Sequence, residues 1–316
     1  MKVSLVPPRS RRPEILDRAS HRYEEIAPAL RDIGRVNRWL GGSASLVRPI
    51  LDLAARERLR EISVLDVGTG GGDVPRSLLE AARRRGLAAS AVGVDLDPLV
   101  VRFAAERSCR RMNDVLSSEP NRIARPPLPP EQPDGSPDAA AAGPRAGTLA
   151  GAGETIISDA PPSCGRLALV QADGFTLPFP RGAFDFVSCS LFFHHFGESE
   201  ASRLLSEFER VARRAVLVSD LARHLVPWAA ISLLGRLFAE SAMFRHDAPL
   251  SVLRGWTADE LRGVAAAAGL GGRARILRFA PYRLVLVVET GGPLEMEEPP
   301  RRIASLSSSR PDVGGP

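Results

Sequence analysis

The chain has 316 residues, enough for one large domain or two small ones, and 44% of them are hydrophobic, an ordinary share for a globular protein. Its net charge of +5 comes from arginines spread along the sequence, and such diffuse basicity argues against a nucleic-acid partner. Because the three cysteines have neither metal-ligand nor disulfide spacing, and no apolar stretch suits an export signal or a membrane span, we expect a cytoplasmic protein without stable membrane insertion.

Residues 1–60 are predicted to form a helical cap ahead of the main domain. Apolar residues recur at helical spacing up to Leu40, and Gly41–Gly42 is expected to end that helix. Ser43 is expected to cap a second helix that runs to about Arg58.

A glycine-rich turn after the first predicted strand is the most informative segment. Ile62–Val67 suits a buried parallel strand, and the glycines that follow let the backbone turn tightly and approach a ligand. Asp73 is predicted to be the N-cap of a helix over Val74–Arg85. The carboxylate of Asp66, just before the turn, suits a cationic amino group better than a phosphate. This favours S-adenosylmethionine (SAM) over a nucleotide.

Three further strands are predicted, each with a polar residue near its carboxyl end. Ala91–Asp95 ends in an acid, which in dinucleotide folds accepts both ribose hydroxyls. A third strand begins at Leu167 and is followed by Asp173, and Phe184–Ser190 is the fourth. The order of strands and helices predicts an α/β sheet with its ligand at the carboxyl ends of the strands.

These segments resemble the class I SAM-dependent methyltransferases, especially the small-molecule group that includes ubiquinone and menaquinone biosynthesis enzymes. The matching motifs are VLDVGTGGG, GVDLDP, QADGFTLPFP and FDFVSCSLFFHHF, and the resemblance covers roughly Leu40 to Glu289. It implies a Rossmann-like α/β fold, with a mostly parallel seven-stranded sheet, helices on both faces and an N-terminal helical cap. The run Asn37–Gly42 looks like a subgroup signature, which favours cap helices that shape the substrate pocket over helices that only pack on the sheet edge.

The resemblance also assigns cofactor contacts. Asp66 is expected to orient the SAM amino group, Asp95 to hold the ribose hydroxyls, and Asp173 to accept a hydrogen bond from the adenine amino group. Leu96 is expected to pack on the adenine ring. The complete predicted cofactor-binding set is Asp66, Gly68, Thr69, Gly70, Asp95, Leu96, Asp173, Gly174 and Ser190.

Two segments have the composition of disordered chain. Residues 116–164 contain ten of the 27 prolines, with alanine and glycine runs and no periodic apolar pattern. We therefore expect a disordered insertion there and a disordered tail over 291–316. They leave a SAM-binding domain over 61–290.

The C-terminal third is expected to complete the sheet. A helix over 200–213, a fifth strand over 215–220 and two final strands, antiparallel to each other, are predicted, and Thr257 is expected to cap the helix between them. Residues 221–256 interrupt this pattern and are the predicted substrate cap.

Three histidines are candidates for the general base. His194 and His195 follow the fourth strand, and His246 lies in the predicted cap beside Asp247. A histidine can take a proton from a phenol or hydroxyl. Packing at a helix start is the alternative for the first two, and acidic phenols can be methylated without a base. A possible aromatic wall of the pocket, which core packing would equally explain, comprises Phe192, Phe193, Phe196, Trp228 and Trp256.

Together these patterns predict a monomeric or homodimeric SAM-dependent methyltransferase that requires no metal. Its acceptor is expected to be a small phenolic, quinol or polyketide-like molecule, methylated on oxygen. Carbon methylation of a quinone precursor and a non-catalytic SAM-binding protein are the alternatives. A nicotinamide-dependent oxidoreductase would instead need a GxGxxG phosphate loop and no acid at position 66.

Overall fold

The computed structural model describes residues 5–18, 21–118, 155–158 and 166–291. The helices of these residues are α1 Tyr23–Trp39, α2 Gly42–Arg56, α3 Asp73–Arg84, α4 Pro98–Ser118, α5 Glu198–Val211, α6 Leu225–Phe238, α7 Ala242–Arg254 and α8 Ala258–Ala267. The strands are β1 Glu61–Val67, β2 Ala88–Asp95, β3 Thr155–Ser158, β4 Arg166–Gln171, β5 Phe184–Ser190, β6 Ala212–Leu221, β7 Ala274–Phe279 and β8 Arg283–Glu289.

The strands form a single sheet in the order β3-β4-β2-β1-β5-β6-β8-β7. The five strands from β4 to β6 are parallel, and β8 runs antiparallel to both β6 and β7. This is the Rossmann-like arrangement expected for class I methyltransferases, and it confirms the predicted fold class.

One edge of the sheet differs from the expectation. The predicted insertion over 116–164 was too broad, because α4 continues to Ser118 and Thr155–Ser158 forms β3, an eighth strand antiparallel to β4. The rest of that insertion lies outside the described residues, as does the predicted tail apart from Gly291. The predicted domain boundaries stay predictions.

Helices cover both faces of the sheet. On one face α2 and α3 pack against β1, β5, β6 and β8, with Leu46, Ile50 and Phe186 among the fully buried side chains. On the other face α5 and α8 pack against the same strands around Phe208 and Leu261. Because both faces are covered, β5 is buried along almost its whole length, as its apolar run requires.

Helix boundaries follow the local sequence, with two corrections. Ser43 was predicted to cap the second helix, but α2 begins at Gly42 and its N-cap is Gly41. Thr257 forms the predicted capping box with Glu260, since Thr257 Oγ1 accepts from the Glu260 N–H at 3.2 Å and Glu260 Oε2 accepts from the Thr257 N–H at 2.8 Å. Asp73 was predicted to be an N-cap, but Gly72 takes that position with φ 70°. Asp73 is the first helical residue, where its carboxylate meets Arg76 and Arg107.

A cap of α1, α6 and α7 covers the carboxyl edge of the sheet. Ile231, Phe244 and Val252 form its small core with Ile33 and Val36 from α1. The cap is tied to the N-terminal segment as well, since the buried carboxylate of Asp247 accepts from the N–H groups of residues 15 and 16 at 2.9 and 3.0 Å. No helix within the described ranges has both the length and the apolar character to cross a membrane.

Candidate functional site

A cavity of about 1140 Å³ lies between the cap and the carboxyl ends of the parallel strands. Its walls come from the N-terminal segment, from α1, α6 and α7, from the turns after β1, β2 and β5, and from the turn before β8. The topology thus brings the predicted substrate cap and most of the predicted cofactor residues to one space.

The glycine turn after β1 forms one end of this cavity. Gly68 and Gly70 have φ of +65° and +53°, in the left-handed region that favours glycine. A Cβ at Gly68 would lie 2.5 Å from Phe192 Cδ2, whereas one at Gly70 would meet only open space. The turn is anchored to β2, since the Gly70 N–H donates to Asp95 Oδ2 at 3.0 Å.

Asp66 is a buried carboxylate at the floor of this end. It accepts hydrogen bonds from Ser188 Oγ at 2.7 Å and from Thr69 Oγ1 at 2.9 Å. Burial raises the pKa of Asp66 to about 7, although both hydrogen bonds act in the opposite direction. A carboxyl with this pKa gains from a nearby cation, because the cation stabilises its ionised form.

Asp95 and Leu96 form the rim beside the turn. Burial raises the pKa of Asp95 to about 6, against the hydrogen bonds from the Gly70 and Asp97 N–H groups. Leu96 lines the cavity with a side chain that is 66% exposed, so a flat ring could lie on it.

Two predicted adenine contacts do not reach the cavity wall. Asp173 is exposed, and its Oδ1 accepts from the Phe175 N–H at 2.9 Å. Gly174 is buried near Val67. Neither residue lines the cavity, so their cofactor roles stay predictions.

His194, one of the predicted candidate bases, has both ring nitrogens facing carboxylates. Its buried ring lies between two carboxylates, with Nδ1 2.8 Å from Asp220 Oδ1 and Nε2 3.4 Å from Glu14 Oε1. Burial alone would lower the pKa of His194, but these carboxylates outweigh it and raise the pKa to about 10. The ring is therefore an imidazolium at neutral pH, with no free lone pair to accept a proton.

His195 lines the same cavity beside a different carboxylate. Its Nδ1 lies 2.6 Å from Asp17 Oδ1, and Arg254 Nη1 donates to the other oxygen of Asp17 at 2.8 Å. Burial favours the neutral form of Asp17, but His195 and Arg254 outweigh it and lower the pKa of Asp17 well below its usual range. A carboxylate that stays ionised holds Nδ1 as a donor and leaves Nε2 as the acceptor.

His246 was also predicted as a base, and the structure places it elsewhere. Its side chain is 57% exposed, pairs through Nδ1 with Asp247 Oδ1 at 2.7 Å, and does not line the cavity. It therefore lies outside the lining that His194 and His195 share, and its role as a base stays a prediction.

The predicted aromatic wall is only partly present. Phe192 and Phe196 line the cavity, with ring centroids 4.9 Å apart. Phe193 and Trp256 are fully buried in the core instead, and Trp228 lies outside the lining. Only Trp228 of these residues lies in a cap helix, α6, so helical spacing could not separate the lining residues from the buried ones.

The carboxylates around His194 and His195 were not among the predicted site residues. Asp220 was placed at the end of the fifth strand but given no role, although the strand-end argument used for Asp95 applies to it equally. Glu14 and Asp17 lie in a segment without helical or strand periodicity, so no local signal marked them.

The same cluster has the spacing of metal ligands, because one atom each from Glu14, His194 and His195 lies within 4.8 Å of the others. Both nitrogens of His194 already face carboxylates, and the Arg254 guanidinium lies 3.9 Å from Glu14 Oε1. Neither nitrogen of His194 is free for an ion in this arrangement, and the absence of a metal stays a prediction.

The end of the cavity near the glycine turn fits SAM. Asp66 offers a carboxylate to the ammonium group of SAM, and the open space over Gly70 leaves room for the part of SAM that would lie against the turn. Ser190 Oγ is buried at the cavity wall and has no hydrogen-bond partner among the described residues. A polar, cationic ligand bound here would give the Ser190 hydroxyl a hydrogen-bond partner and the buried carboxylate a counterion, and it would fill the space over Gly70.

Comparison with known proteins finds a methyltransferase domain in part of the chain. A family model described as a methyltransferase domain matches residues 149–218. Similar solved structures include magnesium protoporphyrin IX methyltransferase from Synechocystis PCC 6803 with bound SAH (16% identity, 81% of this chain and 87% of that one, TM-score 0.44). Another is a SAM-dependent methyltransferase from Aquifex aeolicus (14% identity, 84% and 98%, TM-score 0.47). The comparison with curated proteins gives no match. The domain match covers less than half of the chain, and together with the strand order and the glycine turn it indicates a class I SAM-dependent methyltransferase.

Proposed function

We propose that the chain transfers the methyl group of SAM to an oxygen of a small phenolic, quinol or polyketide-like acceptor. The observation that carries this proposal is the pair of His195 and Asp17 on the wall of the cavity that also contains the glycine turn. Oxygen methylation needs a proton to leave the acceptor hydroxyl, and this pair is built to receive one.

Bound SAM supplies an activated methyl group on a sulfonium, so the protein's main task is alignment of the acceptor oxygen. Holding two reactants in line can contribute roughly 7–11 kcal/mol to the barrier reduction. Asp66 and Asp95 would hold the cofactor at one end of the cavity. The cap helices α6 and α7 would close over the acceptor and exclude water.

His195 is the proposed base because its ring is held on the cavity wall with one nitrogen left free among the described residues. Asp17 orients the ring through Nδ1, and within the described residues Nε2 has no hydrogen-bond partner. His194, next to it, is enclosed by Asp220 and Glu14 and has no free nitrogen for the acceptor proton.

The acceptor half of the cavity supports an apolar molecule. Ile33, Val36, Ile231, Leu234 and Met243 face it from three cap helices. Such walls suit an aromatic or alkyl body, with its polar groups confined to the floor.

The test is methyl transfer from SAM to a panel of alkylated phenols, hydroquinones and naphthols, with product analysis for O-methyl and C-methyl groups. We expect O-methyl products from the wild type. His195→Gln and Asp17→Asn should lower kcat by about 10²–10⁴-fold with little change in KM, since they remove the base or its orientation. His246→Gln, the matched histidine outside the cavity, should keep wild-type kcat.

Three outcomes would contradict the proposal. C-methyl products would favour the quinone-precursor alternative, and SAM binding without transfer to any acceptor would favour a non-catalytic protein. Full activity of His195→Gln would remove His195 as the base. A monomeric or homodimeric state, a cytoplasmic location and the absence of nucleic-acid and membrane partners stay predictions.

A further inference from the structure

Arg283 is a buried cation on the wall of the cavity. It begins β8, opposite Leu221 of β6, and its side chain is only 2% exposed. Arg283 Nη2 donates to Asn37 Oδ1 at 2.5 Å, and Nη1 donates to Ser219 Oγ at 3.4 Å. The Nε–H has no hydrogen-bond partner among the described residues.

No carboxylate within the described ranges forms an ion pair with this guanidinium, which separates it from the other buried arginines. Arg223 Nη2 lies 2.6 Å from Glu260 Oε1, and Arg254 Nη1 lies 2.8 Å from Asp17 Oδ2. Asp220 acts on Arg283 only at a distance, since its own oxygens face His194. A buried charge without a counterion is costly, so proteins normally pair it.

The charge of Arg283 persists at neutral pH. Burial lowers the pKa of its guanidinium to about 10, although Asp220 opposes this effect. The side chain is therefore a cation under ordinary conditions, with one N–H unsatisfied and a cavity in front of it.

The surroundings of Arg283 define what could pair with it. Leu40, Val226 and Tyr282 line the cavity near the β6 and β8 ends, and they offer apolar or aromatic surface. A ligand that fits would have an apolar body and one anionic group. The planar guanidinium donates two parallel N–H groups best to a carboxylate.

We propose that the methyl acceptor carries a carboxylate that binds Arg283, so that the substrate class is an apolar hydroxylated aromatic acid. This inference rests on the proposed function, because it concerns the acceptor half of the same cavity. The carboxylate of the acceptor would be the counterion that Arg283 lacks among the described residues.

The experiment is calorimetric titration of SAH-saturated protein with two probes, an alkyl-substituted hydroxybenzoate and the matched phenol that lacks the carboxylate. We expect the wild type to bind the hydroxybenzoate at least tenfold more tightly. Arg283→Gln should remove this preference, Arg283→Lys should retain part of it, and SAH affinity should stay unchanged in both. Arg278→Gln, which alters an exposed arginine on the adjacent strand β7, should keep the full preference.

Asn37→Asp tests the same point with the arginine in place. The new carboxylate would lie against Arg283 Nη2 and neutralise it, so the preference for the hydroxybenzoate should disappear while SAH still binds. This variant should also unfold at a higher temperature than the wild type, because a buried charge gains its partner. A purely structural Arg283 would give no probe preference to lose.

The outcomes separate the two proposals. Equal affinity of the wild type for both probes, or a preserved preference in Arg283→Gln or Asn37→Asp, would overturn the carboxylate assignment and leave the methyltransferase proposal intact. Methyl transfer to carboxylate-free phenols at the same kcat/KM as to the acids would do the same. Failure of the wild type to bind SAH would overturn both.

Discussion

Asp220→Asn removes a negative charge that faces the His194 imidazolium while it preserves the shape of the side chain. In the wild type the two Asp220 oxygens accept from the His194 backbone N–H and from Nδ1, each at 2.8 Å. The pKa of His194 rises from 6.5 to about 10. At about 1.4 kcal/mol for each pKa unit, this corresponds to about 5 kcal/mol of folded-state stabilisation of the imidazolium.

Asp220 supplies the largest favourable part of that stabilisation, and Glu14 supplies the rest. Breaking one partner of a buried ion pair typically costs about 3–5 kcal/mol, so we expect Asp220→Asn to lower the free energy of unfolding by that amount at pH 7. Asp52→Asn, which alters a carboxylate that is 72% exposed, should change it by no more than about 1 kcal/mol.

The alkaline pH dependence gives a sharper test. Because the folded pKa of His194 lies above its unfolded value of 6.5, the stabilisation is complete below pH 6.5 and is lost as the pH rises towards 10. The chain has one lysine, Lys2, two tyrosines and three cysteines, so few of the usual alkaline groups titrate in that window. Asp66 and Arg283, with pKa values of about 7 and about 10, titrate there in both proteins, so the test is the difference between the two curves. Urea denaturation between pH 6 and 10 should show falling stability for the wild type and a flatter curve for Asp220→Asn. Parallel curves for the two proteins would refute the assigned charge state of His194.

Three further predictions concern the cofactor end and the fold. Calorimetric SAM affinity should fall about tenfold from pH 8 to pH 6, because Asp66, with its pKa near 7, binds a cation only when ionised, and Asp66→Asn should flatten this dependence. Gly68→Ala should abolish detectable SAM binding and lower the free energy of unfolding, measured by urea denaturation, by about 1–3 kcal/mol, because its φ is +65° and the new Cβ would press on Phe192. Gly86→Ala is the control, since Gly86 has a φ of +67° but lies in open space, and it should keep SAM affinity. Thr257→Ala should lower the free energy of unfolding by about 1 kcal/mol through loss of the capping box, and an unchanged value would contradict that assignment.

Local patterns predicted the sheet because each strand was marked by its own residues. The apolar runs that end in Asp66, Asp95 and Ser190 became β1, β2 and β5, and their carboxyl ends meet at one edge as the parallel order requires. Asp73 shows the limit of such local reasoning. The N-cap preference of aspartate favoured that position, but the left-handed Gly72 is the N-cap and the helix begins one residue earlier than predicted. Asp73 therefore pairs with Arg76 and Arg107.

Local patterns could predict the class I fold, the glycine turn and a SAM cofactor, because these depend on residues that are neighbours in the chain. The surroundings of the histidines depend instead on contacts between distant segments. Asp17 meets His195 across 178 positions and Asp220 meets His194 across 26, and these contacts give the two neighbouring rings different surroundings. The same holds for Arg283, whose cavity partner Asn37 lies 246 positions away. Charge states depend on burial and on the nearest opposite charge, and both are set by packing between distant segments.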